Sequence, residues 1–170
     1  MKVMLDANAL ITWASSQDEL TTGRLYALFS RASAIFVPTP ALAEFLVGAK
    51  DREHEWLAAM ERKPRFRLLS FDRRAAVECA RPEQRARMQG GKQGGSTAPW
   101  QKVKIDRQIL AISLVNQADL LICMDNNLVS MAAYCGLKTS SIDALEIPQE
   151  LLQRSLELDT PSIGQPEEKQ

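Results

Sequence analysis

Short apolar runs alternate with longer segments of helical period, and this alternation constrains the fold more than any other feature. Five runs rich in Val, Ile, Leu and Phe read as buried strands, and helical segments separate them. Strands connected through helices form parallel sheets. The sequence therefore predicts an α/β fold with strands at 2–5, 34–37, 66–69, 120–124 and 138–142. Helices are predicted at 9–15, 20–30, 41–49, 52–62, 73–88, 105–117 and 128–134.

Length and composition favour one compact soluble domain, since the chain has 170 residues, of which 45% are apolar and 25% charged. The longest uncharged stretches, 32–43 and 126–137, are well short of the ~18 residues of a membrane-spanning helix. An acid at position 6 interrupts the apolar N-terminus, which is unlike a secretory signal. We therefore expect a cytoplasmic protein that does not enter a membrane.

Four acidic residues lie inside or at the end of apolar runs, where a charge is costly to bury. Asp6 and Asp125 follow predicted strands. They are therefore expected at the carboxyl ends of the strands, where ligands bind in open parallel sheets. Glu44 is the only charge in the otherwise apolar or small segment 38–49, so we expect it to lack a solvated face. Asp106 is placed in the first turn of a predicted helix. The local alternatives are helix capping for both strand-end acids, a salt bridge for Glu44 and a dipole interaction for Asp106.

Four converging carboxylates would repel one another, and a divalent cation is the simplest remedy. Mg²⁺ and Mn²⁺ prefer oxygen ligands, lower the pKa of a bound water and offset charge on a reacting phosphate. With one histidine and three cysteines, the chain offers little for a zinc site or a Ser-His-Asp triad. A catalytic pair of Cys79 and His54 and an aspartyl-phosphate phosphatase stay open as minor alternatives.

The segment 51–104 carries 13 basic against 7 acidic side chains, although the whole chain has no net charge. Basic residues beside an acidic pocket suit a phosphate-rich polymer, whereas the simpler explanation is a set of solvated helix faces. The Gly-rich stretch 90–97 follows a helix and lacks a closing Gly-Lys-Ser/Thr, so it indicates a flexible insertion. Candidate contacts to the phosphates of such a polymer are Arg65, Arg67, Arg73, Arg74, Lys102 and Lys104.

Four motifs stand in order along the chain: Val-Met-Leu-Asp-Ala-Asn-Ala-Leu at 3–10, Thr-Pro-Ala-Leu-Ala-Glu-Phe at 39–45, Ile-Asp-Arg-Gln-Ile-Leu-Ala at 105–111 and Leu-Ile-Cys-Met-Asp-Asn-Asn-Leu at 121–128. Together they resemble the PIN domain, the PilT N-terminus family that includes VapC-type toxin ribonucleases of VapBC toxin–antitoxin systems. The resemblance covers about residues 1–145. It implies a three-layer α/β/α sandwich around a central parallel, doubly wound five-stranded sheet.

The same resemblance implies a Mg²⁺- or Mn²⁺-dependent endoribonuclease, with RNA as substrate, a small antitoxin as partner and a homodimer as assembly. Asp6, Glu44, Asp106 and Asp125 match the family's catalytic and metal-binding acids. Asn8, Cys123 and Asn127 match supporting positions. The family often has Thr or Ser in place of Cys123 and Asp in place of Asn127, so one firmly bound cation is expected and a second is in doubt.

Other roles stay open beside the toxin nuclease: a housekeeping RNA-processing nuclease, or a PIN-like module that binds RNA or a partner without cutting. Trp56, Leu57 and Met60 have the spacing of a groove for an antitoxin helix, although such spacing is more typical of core. We predict that 1–147 form the nuclease domain and that 148–170 form a C-terminal helix, at 149–158, and a flexible tail.

Overall fold

A computed structural model of the chain describes residues 1–88, 99–149 and 151, without the side chains of 82–88. Within these ranges no helix has the length and apolarity needed to cross a membrane. The strands are β1 Lys2–Leu5, β2 Ala34–Pro38, β3 Phe66–Leu69, β4 Leu120–Ile122 and β5 Lys138–Ser140. The helices are α1 Ala7–Ser15, α2 Glu19–Arg31, α3 Thr39–Val47, α4 Glu53–Glu61, α5 Arg73–Met88, α6 Trp100–Val115 and α7 Asn126–Tyr134.

All five strands pair in parallel in the order β3-β2-β1-β4-β5. Central β1 lies between β2 and β4, with Met4 opposite both Phe36 and Leu121. The chain forms β1, β2 and β3 in order toward one side of the sheet. It then crosses to the other side of β1, where it forms β4 and β5. The predicted doubly wound parallel sheet is confirmed, and its strand order reverses between β1 and β4, where such folds form a crevice.

Helices cover both faces of the sheet, because right-handed crossovers place α1–α4 on one face and α5–α7 on the other. On the first face, Trp13, Phe29 and Phe66 pack with ring centroids 5.2–6.1 Å apart. Trp56 joins this cluster through Trp13, and Met60 is fully buried. The three-layer sandwich is thus confirmed. Met60 belongs to its core, whereas Trp56 is half-buried and also lines a surface pocket with Arg52 and Ala59, so the groove stays a prediction.

Helix α6 begins at Trp100, five residues before the predicted start. The apolar period begins at Ile105, but Pro99 serves as the N-cap and Gln101, Lys102 and Lys104 between them are good helix formers. Asp106 consequently lies in the second turn, where the helix-dipole explanation of its charge no longer applies. The predicted Gly-rich insertion at 90–97, the greater part of the predicted 149–158 helix and the tail lie outside the described residues.

Gly136 follows α7 in the left-handed conformation, with φ of 73°. An L side chain is strained there, so Gly136→Ala should lower the free energy of unfolding by about 1 kcal/mol. Gly48 at the end of α3 is the matched control because its φ is −84° and an added Cβ would make only ordinary contacts. Urea denaturation of both variants tests this, and equal stability of the two would contradict it.

Candidate functional site

Asp6 and Asp125 lie at the carboxyl edge of the sheet, beside the point where the strand order reverses. Asp6 directly follows β1, and its N–H donates to Ile122 O of β4 at 3.1 Å. Asp125 comes three residues after Ile122 and opens α7. The pairing of β1 with β4 therefore brings together two acids that are 119 positions apart in the sequence.

Both aspartates also cap the helices that follow them, so the helix capping given as their alternative role is confirmed. Asp6 Oδ1 accepts a hydrogen bond from Ala9 N at 2.7 Å. Asp125 Oδ1 accepts from Asn127 N at 2.8 Å and from Leu128 N at 3.1 Å. Capping engages one carboxylate oxygen in each case, so it does not exclude a second role for the other oxygen.

Asp106 is the acid that local structure explains least. Only 5% of it is exposed, and its Oδ2 is buried without a hydrogen-bond partner in the part of the chain that the structure describes. Burial raises the pKa of Asp106 to about 6, the charge of Asp125 adds to this rise, and Lys102 opposes it. An unsatisfied buried carboxylate oxygen costs on the order of 1–3 kcal/mol, so a further partner is expected.

The four carboxylates lie close enough to interact electrostatically. Burial raises the pKa of Asp6 to about 6, although the backbone amides of Ala9 and Met124 lower it. The negative charges of Asp125 and Glu44 raise it further. Since Glu44 also acts on Asp106, the structure brings all four predicted acids into one electrostatic cluster.

Glu44 belongs to this cluster, but the prediction that it lacks a solvated face is wrong. The side chain is exposed, and so are Ala43, Val47 and Gly48 on the same helix. Helix α3 buries Ala41, Leu42 and Phe45 instead, and its outward face is small or apolar rather than charged. Glu44 therefore stands at the rim of the cluster, where it can turn toward either the acids or water.

Lys102 lies inside the acidic cluster, and its Nζ donates a hydrogen bond to Asp125 Oδ2. This bond raises the pKa of Lys102. Partial burial would raise the pKa of Asp125, yet the Lys102 ammonium and the amides of Leu128 and Asn127 hold it below its ordinary value. An internal cation thus neutralises part of the cluster's charge.

The predicted supporting residues differ in position. Cys123 is 1% exposed, and burial followed by the charge of Asp6 raises the pKa of its thiol to about 12. Asn127 is half-buried and donates its N–H to Asp125. Asn8 is exposed. The Cys123 thiol is therefore neutral and adds no negative charge to the cluster. The negative charge of the cluster comes from its four carboxylates alone.

Two predicted RNA contacts are engaged elsewhere in the fold. Arg65 donates to Phe29 O at 3.1 Å and Ser30 O at 2.6 Å, at the edge of the sheet opposite the acids. Arg74 donates to Val115 O at 3.2 Å, nine residues or about 13.5 Å of helix beyond Asp106. Both side chains satisfy carbonyls at helix ends, a partner that charge counting could not foresee.

Of the remaining basic candidates, Arg67 on β3 and Arg73 at the start of α5 are exposed. Lys104 is exposed on α6, with its Nζ 5.4 Å from the ring centroid of Trp100. Together with Lys102, this lysine places positive charge on the same helix as Asp106. Of the six candidates, Lys102 is the one that hydrogen-bonds to an acid of the cluster.

Trp100 and Arg107 were not identified from the sequence. The Arg107 guanidinium lies 5.2 Å from the Trp100 ring centroid, and only 4% of the residue is exposed. Positions 100, 104 and 107 have the spacing of one helix face, a signal that appears only once α6 is known to begin at Trp100. They form an aromatic and basic face of α6 within two turns of Asp106.

The pair of Cys79 and His54 does not form a site. His54 is exposed on α4, whereas Cys79 is half-buried on α5 on the opposite face of the sheet. A sheet separates the two side chains. This minor alternative is therefore wrong.

The donor set of the acidic cluster suits a hard divalent cation, because it is all carboxylate and includes the unsatisfied Asp106 Oδ2. The arrangement is not fully formed: no three described Asp, Glu, His or Cys side chains are grouped closely enough to hold an ion as they stand. The Lys102 ammonium lies where positive charge is needed. The residues fit a cation provided that Lys102 yields and the carboxylates draw together.

Solved structures of similar fold include VapBC proteins. VapBC2 from Rickettsia felis, bound to a DNA fragment from its promoter, gives a TM-score of 0.59 at 13% identity, over 83% of this chain and 98% of that one. DNA-bound VapBC from Salmonella typhimurium gives 0.55 at 21% identity, over 84% and 98%. VapC20 from Mycobacterium tuberculosis, a sarcin–ricin loop cleaving toxin, gives 0.53 at 9% identity, over 76% and 94%.

At these identities the likeness shows the fold alone. Comparison with curated proteins gives no significant sequence match. The sequence model of the PIN domain, by contrast, matches residues 3–134, which is most of the chain and includes all four acids of the cluster. The chain therefore belongs to the PIN domain family.

Proposed function

We propose that the protein is a cytoplasmic, metal-dependent endoribonuclease that hydrolyses phosphodiester bonds of RNA. The observation that carries the proposal is the convergence of Asp6, Glu44, Asp106 and Asp125 at the crevice between β1 and β4, with Asp106 Oδ2 buried and unsatisfied. Carboxylate oxygens are the ligands that Mg²⁺ and Mn²⁺ prefer in proteins. The chain belongs to the PIN domain family. The resemblance to this family implies a nuclease, which supports the same chemistry.

In this proposal Asp6, Asp106 and Asp125 hold one Mg²⁺ or Mn²⁺ ion, and a second ion is not required. When bound, the cation supplies a more acidic water and offsets negative charge on the phosphate. Glu44, exposed at the rim, binds the ion or orients the attacking water. The two neighbours of Asp125, Cys123 and Asn127, support the site through packing and through the amide bond to Asp125 Oδ1.

RNA would approach along the N-terminal part of α6. Lys104 and Trp100 lie there within one or two turns of Asp106, and they offer a charge for phosphate and a ring for a base. Asn8, exposed at the start of α1, lies at the same edge of the sheet. Arg67 and Arg73 remain candidate phosphate contacts, whereas Arg65 and Arg74 are assigned to the structural bonds described above.

We further propose that the chain is the toxin of a type II toxin–antitoxin pair, with a small antitoxin protein as partner and a homodimer as its assembly. The VapBC structures of similar fold support this role. Expression of the chain should arrest growth, and co-expression of a small protein encoded beside it should relieve the arrest. Growth unaffected by an active nuclease would instead favour housekeeping RNA processing.

Purified protein incubated with mixed RNAs should cleave them in Mn²⁺ or Mg²⁺ and should lose this activity in a chelator. Activity should return when the cation is added in excess, since removal of the ion leaves the carboxylates unchanged. Gel analysis of the RNA products measures the result. Cleavage that persists in the chelator would contradict the proposal.

A PIN-like module that binds RNA without cutting it is the second candidate, and the ion pair between Lys102 and Asp125 is the observation in its favour. An internal ammonium that stayed in place would neutralise the cluster without any metal. The same assay separates the two candidates. A module that binds RNA without cutting it would produce no fragments, either with the cation or with the chelator.

A further inference from the structure

Lys102 contacts the one oxygen of Asp125 that local structure leaves available. Asp125 Oδ1 already accepts two backbone N–H groups, those of Asn127 and Leu128. Asp125 Oδ2 accepts its hydrogen bond from Lys102 Nζ. A cation that uses Asp125 as a ligand must therefore take the oxygen that Lys102 holds.

The position of Lys102 also brings its charge to the rest of the cluster. It lies four residues before Asp106 on α6, on the same face of the helix. Its charge interacts favourably with Asp106 and Glu44 as well as with Asp125. Two positive charges in this small space repel each other, so Lys102 and a divalent cation compete for the same carboxylates.

Lys102 is able to leave, because 47% of its side chain is exposed, whereas the Asp125 side chain is 19% exposed. Because the lysine end of this ion pair is solvated, its ammonium can return to water, and the lysine can be exchanged for a divalent cation. Once released, the flexible lysine keeps its ammonium at the mouth of the site. A phosphate group is the natural new partner for it.

We propose that Lys102 is an internal counter-ion that leaves Asp125 when a divalent cation binds and then contacts the phosphate of the substrate. The inference rests on the proposed nuclease function and assigns one lysine two successive partners. It has an unusual consequence: loss of Lys102 should strengthen metal binding and weaken cleavage. An ordinary phosphate contact would leave metal affinity unchanged.

The test compares Lys102→Met with Lys104→Met by calorimetric titration of Mn²⁺ into metal-free protein. Lys104 is the matched control because it lies on the same helix, is exposed and contacts Trp100 instead of an acid. Lys102→Met should bind Mn²⁺ about three- to tenfold more tightly than the wild type, whereas Lys104→Met should stay within about twofold. RNA cleavage by Lys102→Met at saturating Mn²⁺ should fall.

A second measurement uses the unaltered protein, so it does not depend on the folding of a variant. Mn²⁺ should increase acylation of Lys102 relative to Lys104 by an amine-reactive reagent, as read by mass spectrometry, and a chelator should reverse the change. Equal Mn²⁺ affinities of wild type and Lys102→Met, or unchanged acylation, overturn the inference alone. Absence of saturable Mn²⁺ binding in all three proteins overturns it together with the metal-dependent nuclease.

Discussion

Asp6→Asn is expected to lower Mn²⁺-dependent RNA cleavage by about 10³-fold while the folded structure persists. Asp6 occupies the switch point of the sheet and contributes a buried charge to the cation site. Asn keeps the shape and can still cap α1 through its side-chain oxygen, but it removes this charge. Loss of several kcal/mol of stabilisation at the reacting phosphate corresponds to a rate change of about this size.

Asp18→Asn is the matched control for this variant. Asp18 also caps a helix, accepting from Thr21 N at 2.7 Å, but it is exposed at the start of α2 and outside the acidic cluster. The Asp18→Asn variant should cleave RNA at the wild-type rate. Steady-state cleavage rates and circular dichroism of both variants provide the comparison, and full activity of Asp6→Asn would rule out its assigned role.

Asp106→Asn is expected to stabilise the metal-free protein at neutral pH by about 1 to 3 kcal/mol. Burial raises the pKa of Asp106 to about 6 in the folded state, above the ~3.9 of an unfolded chain. The folded state therefore binds the proton more tightly. The contribution of Asp106 to stability is fully present below pH ~4 and is lost as the pH rises through 6, a loss that Asn avoids.

The advantage of Asp106→Asn should accordingly be near zero at pH 4 and reach its full size above pH 7. Chemical denaturation across this range, with a chelator present, measures it. Asp143→Asn is the control: the Asp143 side chain is 83% exposed and loses only a 3.5 Å ion pair with Arg24, so the change in stability should be at most about 1 kcal/mol. Saturating Mn²⁺ should reverse the order, because only the wild type gains the binding energy of the ion. A destabilised Asp106→Asn at pH 8 in chelator would contradict this account.

The central strands β1, β2 and β4 could be predicted closely because they are buried on both faces, which requires continuous apolar runs in the sequence. The prediction for β1 and β3 matches the observed bounds, and β2 extends by one residue to Pro38. Predicted β4 and β5 run two residues too far. Given parallel strands, the meeting of Asp6 and Asp125 follows from topology, since both come after strands that are neighbours in the sheet.

The surroundings of the acids could not be predicted, because they depend on how separate helices approach one another. The bond from Lys102 to Asp125 requires α6 to lie against α7. The burial of Glu44 was misjudged because a helix can expose small and apolar residues, as Val47 shows at 86% exposure. Arg65 was read as a phosphate contact since charge patterns carry no information about helix-end carbonyls in space.

Anomalous diffraction from crystals grown with Mn²⁺ tests the central claim most directly. The account predicts one strong peak at the carboxyl ends of β1 and β4, about 2.1 Å from oxygens of Asp6, Asp106 and Asp125, with Lys102 Nζ withdrawn from Asp125. Mn²⁺ bound elsewhere on the protein, with Lys102 still on Asp125 and no peak among the four acids, would contradict it.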